Sequence, residues 1–309
     1  MIKHWIQLAR PRTFPLAVAS IICGTSMAYA QLERFTVKQW GIFALTLFVA
    51  LNLQILSNMA NDYGDGTKGT DTHRDATSPQ RLTAHGHISI TSLKRAIIIW
   101  ALFTFGCGMG LLWLGFDDLT DFLWFLAFGI SAIIAAMAYT MGKRPYGYRA
   151  MGEVAVLIFF GWMGVLGSAY LQLREIRLSM WLPATGCGLL CACVLYINNM
   201  RDRPNDQQAG KITLAVLLGL ERMYHGYVAL VTIAIACHVL YALMQQRLTA
   251  WLWLLAMPWV IRHIQAIKAS KHKPNRHLAI GQELKPIIFI TLMINLLFAI
   301  SQAQKTEFF

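Results

Sequence analysis

Nine apolar runs, each long enough to form a membrane-spanning helix, constrain the fold of this chain more than any other feature. They lie near residues 14–31, 38–60, 94–115, 120–142, 152–173, 179–199, 223–244, 249–267 and 286–303. A helix needs about 20 apolar residues to cross roughly 30 Å of hydrocarbon. The chain is 56% apolar and only 14% charged, which is typical of membrane proteins. The sequence therefore predicts an all-α polytopic membrane protein with about nine transmembrane helices.

The placement of the basic residues argues against a nucleic-acid partner, although the net charge is +12 at pH 7. If the N-terminus lies in the cytoplasm, the nine spans place 21 Lys and Arg residues on the cytoplasmic side and 6 on the other side. This asymmetry obeys the positive-inside rule, so we expect the lipid bilayer and no nucleic acid as a partner. The segment before the first span lacks the pattern of a cleavable signal peptide. One integral-membrane domain is expected over residues 1–309.

Acidic and amide side chains are crowded where the second apolar run ends. Asn58, Asp62 and Asp65 are spaced so that they share one face if the helix continues through them. A carboxylate at the bilayer centre costs about 2.5–3.5 kcal/mol, and less near the interface, so the cluster needs a partner. A divalent cation is the simplest partner. The helix is expected to break at the glycines of this segment, Gly64, Gly66 and Gly69, where the backbone could approach a ligand closely.

A similar cluster ends the sixth apolar run. Asn198, Asp202 and Asp206 follow each other at intervals of four, again on one helix face, although Pro204 can distort the helix. The repeated Asn-x3-Asp pattern suggests two related halves with a shared site between them. The spacing does not match an EF-hand, whereas carboxylates and amides on facing helices suit Mg²⁺, which takes further ligands from water and phosphate. With nearby cations such as Lys211, the two clusters predict a Mg²⁺–diphosphate site.

A basic and aromatic segment joins the fourth and fifth spans on the same side as both acidic clusters. It runs from Tyr139 to Arg149 and contains Lys143, Arg144 and Tyr146. One interpretation is an interfacial belt that anchors the protein at the membrane surface. The other is that the two cations hold diphosphate while tyrosine rings face a cation or an aromatic acceptor. The acidic clusters on the same side favour the second interpretation.

Three runs make the chain similar to a known family. They are Asn61-Asp62-Tyr63-Gly64-Asp65-Gly66 with Lys68-Gly69 and Asp71; Gly142-Lys143-Arg144-Pro145-Tyr146-Gly147-Tyr148-Arg149 with Gly152-Glu153; and Asn198-Asn199-Met200-Arg201-Asp202 with Asp206, Gly210-Lys211 and Thr213-Leu214-Ala215-Val216. In this order they resemble the motifs of the UbiA-type intramembrane prenyltransferases, and among those the 1,4-dihydroxy-2-naphthoate polyprenyltransferases of menaquinone biosynthesis. One position departs from the pattern: the first motif of the family often ends in Asp where this chain has Gly69, and Asp71 follows two residues later.

The resemblance implies a reaction and its setting. A polyprenyl group would pass from polyprenyl diphosphate to 1,4-dihydroxy-2-naphthoate with loss of diphosphate and CO₂, giving demethylmenaquinol, with Mg²⁺ as the cofactor. The helices would surround a central cleft for the prenyl chain. The protein would lie in the bacterial cytoplasmic (inner) membrane, with its active site facing the cytoplasm.

The spacing of these clusters and the resemblance together lead to a hypothesis for the roles of individual residues. The expected metal ligands are Asn58, Asp62, Asp65, Asp71, Asp202 and Asp206. The expected catalytic residues are Asp62, Asp65, Asp202, Asp206, Lys143, Arg144 and Tyr139. The expected substrate-binding residues are Arg12, Asn61, Lys68, Tyr146, Asn198, Asn199, Arg201 and Lys211.

Two other functions remain open on the sequence. The acceptor could be another aromatic compound, such as 4-hydroxybenzoate or homogentisate. A cation-coupled membrane transporter would also use intramembrane acids and repeated halves. Acids that cluster at one membrane face, interleaved with Lys, Arg and Gly, favour the prenyltransferase.

Overall fold

The computed structural model describes residues 2–32, 34–68 and 88–304, and helices make up most of this part of the chain. The α-helices are α1 (Ile2–Ala9), α2 (Phe14–Gln31), α3 (Val37–Thr67), α4 (Ile90–Gly115), α5 (Leu119–Ala138), α6 (Gly152–Val156), α7 (Gly167–Leu173), α8 (Trp181–Gln208), α9 (Leu214–Gln245), α10 (Met257–Ser270), α11 (Arg276–Gln282) and α12 (Leu284–Ala303). A π-helical segment, Leu157–Leu166, joins α6 to α7. Short 3₁₀ segments cover Pro11–Thr13, Tyr146–Tyr148, Leu178–Met180 and Leu248–Ala256. The predicted all-α class is confirmed.

Eight helical segments of the described chain are long and apolar enough to cross a membrane. They correspond to eight of the nine predicted spans. The remaining prediction, 249–267, falls on the 3₁₀ segment Leu248–Ala256 and on α10. Pro258 lies in the first turn of α10, where a backbone N–H has no partner within the helix, so the proline costs no helical hydrogen bond. α5 has no buried residue, and α4 exposes Ile99 and Leu102, as expected of helices that face lipid. The chain is an integral membrane protein with the predicted order of helices.

α8 lies at the centre of the bundle and packs against α9, α2 and the π-helical segment. Two glycines let backbones approach where the π-helical segment crosses α8, since a Cβ built on Gly161 would lie 2.8 Å from the Cα of Gly188. Small residues at such crossings allow membrane helices to pack by close van der Waals contact. The second acidic cluster therefore lies at the end of a helix that is fixed on most of its sides.

The two helices that carry the acidic clusters are longer than the apolar runs that predict them. α3 continues unbroken through Gly64 and Gly66, so the prediction that these glycines end the helix is wrong, while Gly69 lies outside the described residues. Gly64 instead allows close packing, because a Cβ there would lie 2.5 Å from the carbonyl oxygen of Thr140. α8 likewise continues past Pro204. Helical geometry therefore sets the directions of both acidic clusters.

Candidate active site

The C-terminal ends of α3 and α8 meet at one end of the bundle and bring the two acidic clusters together. Asp65 on α3 accepts a hydrogen bond from the Tyr148 hydroxyl at 2.9 Å, and its Oδ1 lies 3.8 Å from Lys211 Nζ. The same ammonium lies 4.0 Å from Oδ1 of Asp206 on α8, which also accepts a bond from Thr213 Oγ1 at 3.4 Å. Asp65, Asp206 and Lys211 are only 1%, 4% and 8% exposed. One buried cation is therefore shared by both clusters.

The turn that ends α8 holds Lys211 in this position. Gly210 has a φ of 68°, a left-handed conformation that favours glycine just after a helix. The backbone N–H of Lys211 donates to the Asp206 carbonyl at 2.8 Å, and the Ile212 carbonyl accepts from Ala150 at 2.8 Å. The C-terminal end of a helix carries a partial negative charge. Carboxylates crowded at two such helix ends therefore need cations to offset their negative charge, and Lys211 is one of these cations.

Asp62, one turn before Asp65 on α3, pairs with Arg10 at 2.5 Å between Oδ1 and Nη2. Arg10 lies between α1 and the first 3₁₀ segment and has a left-handed φ of 51°. The residue predicted for this region is Arg12, whose side chain is exposed. The sequence places one arginine on each side of Pro11, and this pattern does not predict which of the two faces α3.

Asn58, a predicted metal ligand, ties the N-terminal segment to α3. Its Nδ2 donates to the Ala9 carbonyl at 2.9 Å and to Thr13 Oγ1 at 3.3 Å. Gln54, one turn earlier, donates to the Thr13 carbonyl at 2.8 Å. These three bonds hold the neighbouring Arg10 against α3.

The second cluster has its own internal pairing. Arg201 and Asp202 form a bidentate pair, with Nε and Nη2 each 2.7 Å from a carboxylate oxygen. Asn198 is half-buried. Asn199 is buried and donates to Glu153 Oε1 at 2.7 Å. The other carboxylate oxygen of Glu153 is buried and has no hydrogen-bond partner within the described chain. Glu153 follows the second sequence run, which gives it no role, yet its hydrogen bond with Asn199 makes it part of this site.

A histidine from α11 supports the helix at the second cluster. Pro204 lacks the N–H that would bond the Met200 carbonyl four residues earlier. His277 Nδ1 lies 3.1 Å from that carbonyl oxygen and replaces the missing donor. A Cβ built on Gly281 would lie 2.7 Å from Cδ of Arg201, so α11 packs directly against the cluster. A proline within a helix predicts a carbonyl without its usual partner, but the sequence does not indicate that His277 would supply the donor.

Tyr139 and Tyr146 follow α5, with ring centroids 5.3 Å apart in an edge-to-face arrangement. The Tyr146 hydroxyl donates to the Ala135 carbonyl at 2.9 Å, and burial raises the pKa of Tyr146 to about 12. Burial, followed by the charges of Glu153 and Asp65, raises the pKa of Tyr139 well above its ordinary value. Both phenols are therefore neutral at physiological pH and present uncharged aromatic rings.

A basic cleft of about 390 Å³ opens beside the shared cation. The cleft is lined by Lys68, Lys143, Arg144, Pro145, Tyr148, Arg149 and Ala209. Lys68 Nζ lies 4.3 Å from the centre of the Tyr148 ring. The pKa of Lys68 is lower than that of an ordinary lysine, because burial and the nearby Lys211 ammonium outweigh the opposing effect of the Asp65 carboxylate. The predicted cations of the first and second sequence runs thus line one surface.

Thr140 joins the first cluster to the basic segment. Its hydroxyl donates to the Ala60 carbonyl at 2.8 Å and lies 3.4 Å from Asn61 Oδ1, while its carbonyl accepts from Lys68 Nζ at 3.1 Å. Asn61, a predicted substrate-binding residue, therefore lies at this contact. Asp71, the remaining predicted ligand, lies outside the described residues.

The donor atoms at this end of the bundle fit Mg²⁺ in their chemistry, since Mg²⁺ prefers carboxylate and other oxygen ligands. Within residues 2–32, 34–68 and 88–304, no three His, Cys, Asp or Glu side chains form a group that could hold a metal ion. Asp65 and Asp206 instead face a single ammonium. Because Mg²⁺ is usually held by one or two carboxylates with substrate phosphates and water, this arrangement fits a metal site that the substrate completes.

Known proteins resemble this chain along nearly its whole length. The profile of the UbiA prenyltransferase family matches residues 17–296. The 1,4-dihydroxy-2-naphthoate octaprenyltransferase of Haemophilus influenzae is 40% identical over 307 residues, covering 97% of this chain and 95% of the relative. The protein of the same name from Escherichia coli is 39% identical over 299 residues, covering 96% and 94%. That from Mycobacterium tuberculosis is 35% identical over 309 residues, covering 99% and 97%.

Two archaeal structures share the fold. A UbiA homolog from Archaeoglobus fulgidus bound to GPP and Mg²⁺ has a TM-score of 0.67 at 15% identity, covering 97% of this chain and 99% of that chain. The apo structure of a UbiA homolog from Aeropyrum pernix has a TM-score of 0.63 at 16% identity, covering 92% and 98%. At these identities the likeness concerns the arrangement of the helices.

Proposed function

The chain belongs to the UbiA prenyltransferase family, and on that premise we propose that it transfers a polyprenyl group from polyprenyl diphosphate to 1,4-dihydroxy-2-naphthoate. Diphosphate and CO₂ leave, and demethylmenaquinol forms, as a step of menaquinone biosynthesis. Relatives of 35–40% identity that carry the name of this activity support the naphthoate acceptor over 4-hydroxybenzoate or homogentisate. Family membership also favours an enzyme over a cation-coupled transporter. We propose that residues 1–309 form one domain.

The meeting of two acidic clusters beside a basic cleft is the observation that carries the proposal. Asp65 and Asp206 approach Lys211 from two different helices, and Lys68 lies over Tyr148 at the edge of the same site. Paired carboxylates suit a divalent cation, and a basic cleft suits phosphate oxygens. A metal–diphosphate complex requires both kinds of group side by side.

We assign the metal to Asp62, Asp65, Asp202 and Asp206, with Asn58 and Asp71 in support. Bound Mg²⁺ would supply electrostatic stabilisation of the negative charge on the departing diphosphate. Three cations pair with these carboxylates in the structure: Arg10, Arg201 and Lys211. With Mg²⁺ held by the carboxylates, these cations would be available to phosphate oxygens. The same cations would thus offset carboxylate charge without substrate and phosphate charge with it.

The basic cleft would hold the diphosphate through Lys68, Lys143 and Arg144. The C–O bond between the allylic carbon and diphosphate breaks, and both electrons leave with the oxygen. Tyr139 and Tyr146, neutral and paired edge to face, can stabilise the resulting allylic cation through their ring faces. The electron-rich ring then forms the new C–C bond. Its carboxylate leaves as CO₂, and the electron pair of the broken bond to CO₂ stays in the ring and restores aromaticity.

The remaining predicted substrate residues surround this reaction. Asn198 and Asn199 lie on α8, where Asn199 donates to Glu153, and Asn61 lies at the contact with Thr140. We propose that they orient the acceptor and the diphosphate, and that Arg12 contacts the acceptor carboxylate from the N-terminal segment. We further propose that the site faces the cytoplasm of a bacterial inner membrane, because this orientation satisfies the positive-inside rule.

The test is a reaction with purified protein, Mg²⁺ and a polyprenyl diphosphate, with each aromatic acceptor supplied separately while product and CO₂ are followed. We expect product and CO₂ from 1,4-dihydroxy-2-naphthoate. Asp62→Ala and Asp202→Ala should each lower kcat/KM by at least about 150-fold, or roughly 3 kcal/mol of transition-state stabilisation. Asp117→Ala is the matched control, because that carboxylate is exposed and pairs with Lys38 at the other end of the bundle.

Two results would contradict the proposal. Product from 4-hydroxybenzoate alone, with its carboxyl group retained, would overturn the acceptor. Near-normal turnover in Asp62→Ala or Asp202→Ala would overturn the metal assignment while leaving prenyl transfer itself intact.

A further inference from the structure

A second polar cavity, of about 370 Å³, lies at the end of the bundle opposite the acidic clusters. It is bounded by the C-terminal ends of α2, α9 and α12 and by the segment that precedes α8. Its polar walls include Gln31, Arg177, Tyr241, Gln245, Arg247 and Gln302. None of the residues proposed for prenyl transfer lines it.

Arg247 brings a positive charge that no carboxylate in the described chain neutralises. Its Nη2 donates to Gln302 Oε1 at 2.9 Å and its Nη1 donates to the Gln304 carbonyl at 3.1 Å, and both acceptors are uncharged. Its Nε is buried and has no partner in the described chain. Arg177 adds a second cation, paired at 2.8 Å with Glu175, but both side chains are more than half exposed and the pair is screened by water. The cavity therefore favours an anion.

Buried amides fix one wall of the cavity and offer an acceptor. Gln302 is 1% exposed, and its Oε1 also accepts from the Tyr241 hydroxyl at 3.5 Å, which orients it toward Arg247. Gln31 donates through Nε2 to the Met27 carbonyl at 3.4 Å, but its Oε1 is buried without a donor in the described chain. A ligand with phosphate oxygens and a hydroxyl group satisfies the guanidinium donors and the amide acceptor together.

The surroundings of the two arginines suit a lipid headgroup more than a free phosphate. Leu178 and Leu248, each directly after an arginine, are 86% and 92% exposed. Large exposed apolar side chains next to cations at the ends of spanning helices fit the membrane interface, where arginine side chains reach headgroups.

We propose that this cavity binds the phosphate group of an anionic glycerophospholipid whose headgroup carries a hydroxyl, in the leaflet opposite the acidic clusters. Arg247 and Arg177 contact the phosphate, and Gln31 accepts a hydrogen bond from the headgroup hydroxyl. Phosphatidylglycerol is the simplest lipid with both features. The site is separate from the proposed prenyl transfer and does not depend on it.

Native mass spectrometry of the purified full chain tests the proposal, with phosphatidylglycerol, phosphatidylcholine or inorganic phosphate titrated in mild detergent. Phosphatidylglycerol should bind at least about tenfold more tightly than phosphatidylcholine, as expected for one charge-assisted hydrogen-bonding site. Arg247→Gln and Arg177→Gln should each weaken phosphatidylglycerol binding about tenfold, and Arg247→Lys should recover part of the loss. Arg34→Gln, an exposed arginine at the same end and outside the cavity, should change nothing.

Three results overturn the proposal. These are equal phosphatidylglycerol binding in all variants, no preference over phosphatidylcholine, and displacement of the lipid by equimolar inorganic phosphate, which would assign the cavity to free phosphate. Thermal unfolding of each variant shows whether it is folded. If Arg247→Gln is not folded, Arg177→Gln is used for the binding test. Prenyl transfer should be unchanged in every variant, because these residues lie at the far end from the proposed active site.

Discussion

Replacing Lys211 by methionine tests whether one ammonium stabilises both acidic clusters. Its Nζ lies 3.8 Å from Asp65 and 4.0 Å from Asp206, and all three side chains are buried. Methionine keeps an unbranched apolar side chain of similar length and removes the charge. The variant therefore leaves two buried carboxylates near each other without the cation that they share.

Coulomb's law sets the size of the expected loss. At these separations each pair is worth about 4 kcal/mol for an effective dielectric constant of about 20. Two effects reduce the sum: the variant no longer has to desolvate an ammonium, and Tyr148 and Thr213 still donate to the carboxylates. Removing one partner of a buried ion pair costs about 3–5 kcal/mol. We expect a loss of about 3 kcal/mol in the free energy of unfolding, at the lower end of that range.

Lys271→Met is the matched control, because it separates the effect of distance from that of burial. Lys271 Nζ lies only 2.5 Å from Glu221 Oε2, but the two side chains are 37% and 63% exposed. Exposed pairs contribute about 0–1 kcal/mol. If distance alone decided the energy, Lys271 would matter more than Lys211.

The assay is reversible unfolding in mixed micelles by titration with a denaturing detergent, first without divalent cations and then with Mg²⁺. Lys211→Arg, which keeps the charge, should lose much less than Lys211→Met. Added Mg²⁺ should restore part of the loss in Lys211→Met, because it can neutralise the same carboxylates. If Lys211→Met is no less stable than Lys271→Met in the absence of metal, the Lys211 ammonium does not stabilise the two acidic clusters.

Three further predictions concern packing, helix support and pH. Gly64→Ala should lower stability by roughly 2 kcal/mol or more and reduce activity, because its Cβ would lie 2.5 Å from the Thr140 carbonyl oxygen; unchanged thermal unfolding would contradict this. His277→Ala should lower stability by about 1–3 kcal/mol, since it leaves a buried carbonyl without a donor. In the Pro204→Ala background, where the helix regains its own N–H, the same change should cost clearly less, and equal costs in both backgrounds would refute the explanation. Affinity for the diphosphate substrate should fall as pH rises through the lowered pKa of Lys68, at a lower pH than for an ordinary lysine, because a lysine is charged only below its pKa. Lys68→Arg should flatten that part of the profile of KM against pH, since arginine stays charged.

The positions of the helices and the side of the bundle that carries the acids follow from the sequence. An apolar run of membrane length must form a helix to satisfy its own backbone hydrogen bonds, so length and composition are enough to locate it. Helices that cross in alternate directions then bring the ends of the second and sixth spans to the same face. Asp65 and Asp206 could therefore be expected on one side before any contact between them was known.

The pairing of side chains at that face does not follow from the sequence. The contact between Arg10 and Asp62 joins two residues that are far apart in the sequence, so no local sequence pattern predicts it. The role of Gly64 does not follow from the sequence either. Whether a glycine ends a helix or allows close packing depends on what lies beside it, which is Thr140 here.

A bundle of membrane helices with acids and cations at one face can thus be predicted from the sequence, because these properties depend on local composition and on the hydrogen-bonding needs of a backbone in lipid. The pairing of cations with carboxylates is visible only in the folded protein, where Lys211 lies between Asp65 and Asp206. The same is true of His277, which supplies the donor missing at Pro204. These contacts depend on the relative rotation and approach of helices that are far apart in the sequence, and packing sets that geometry.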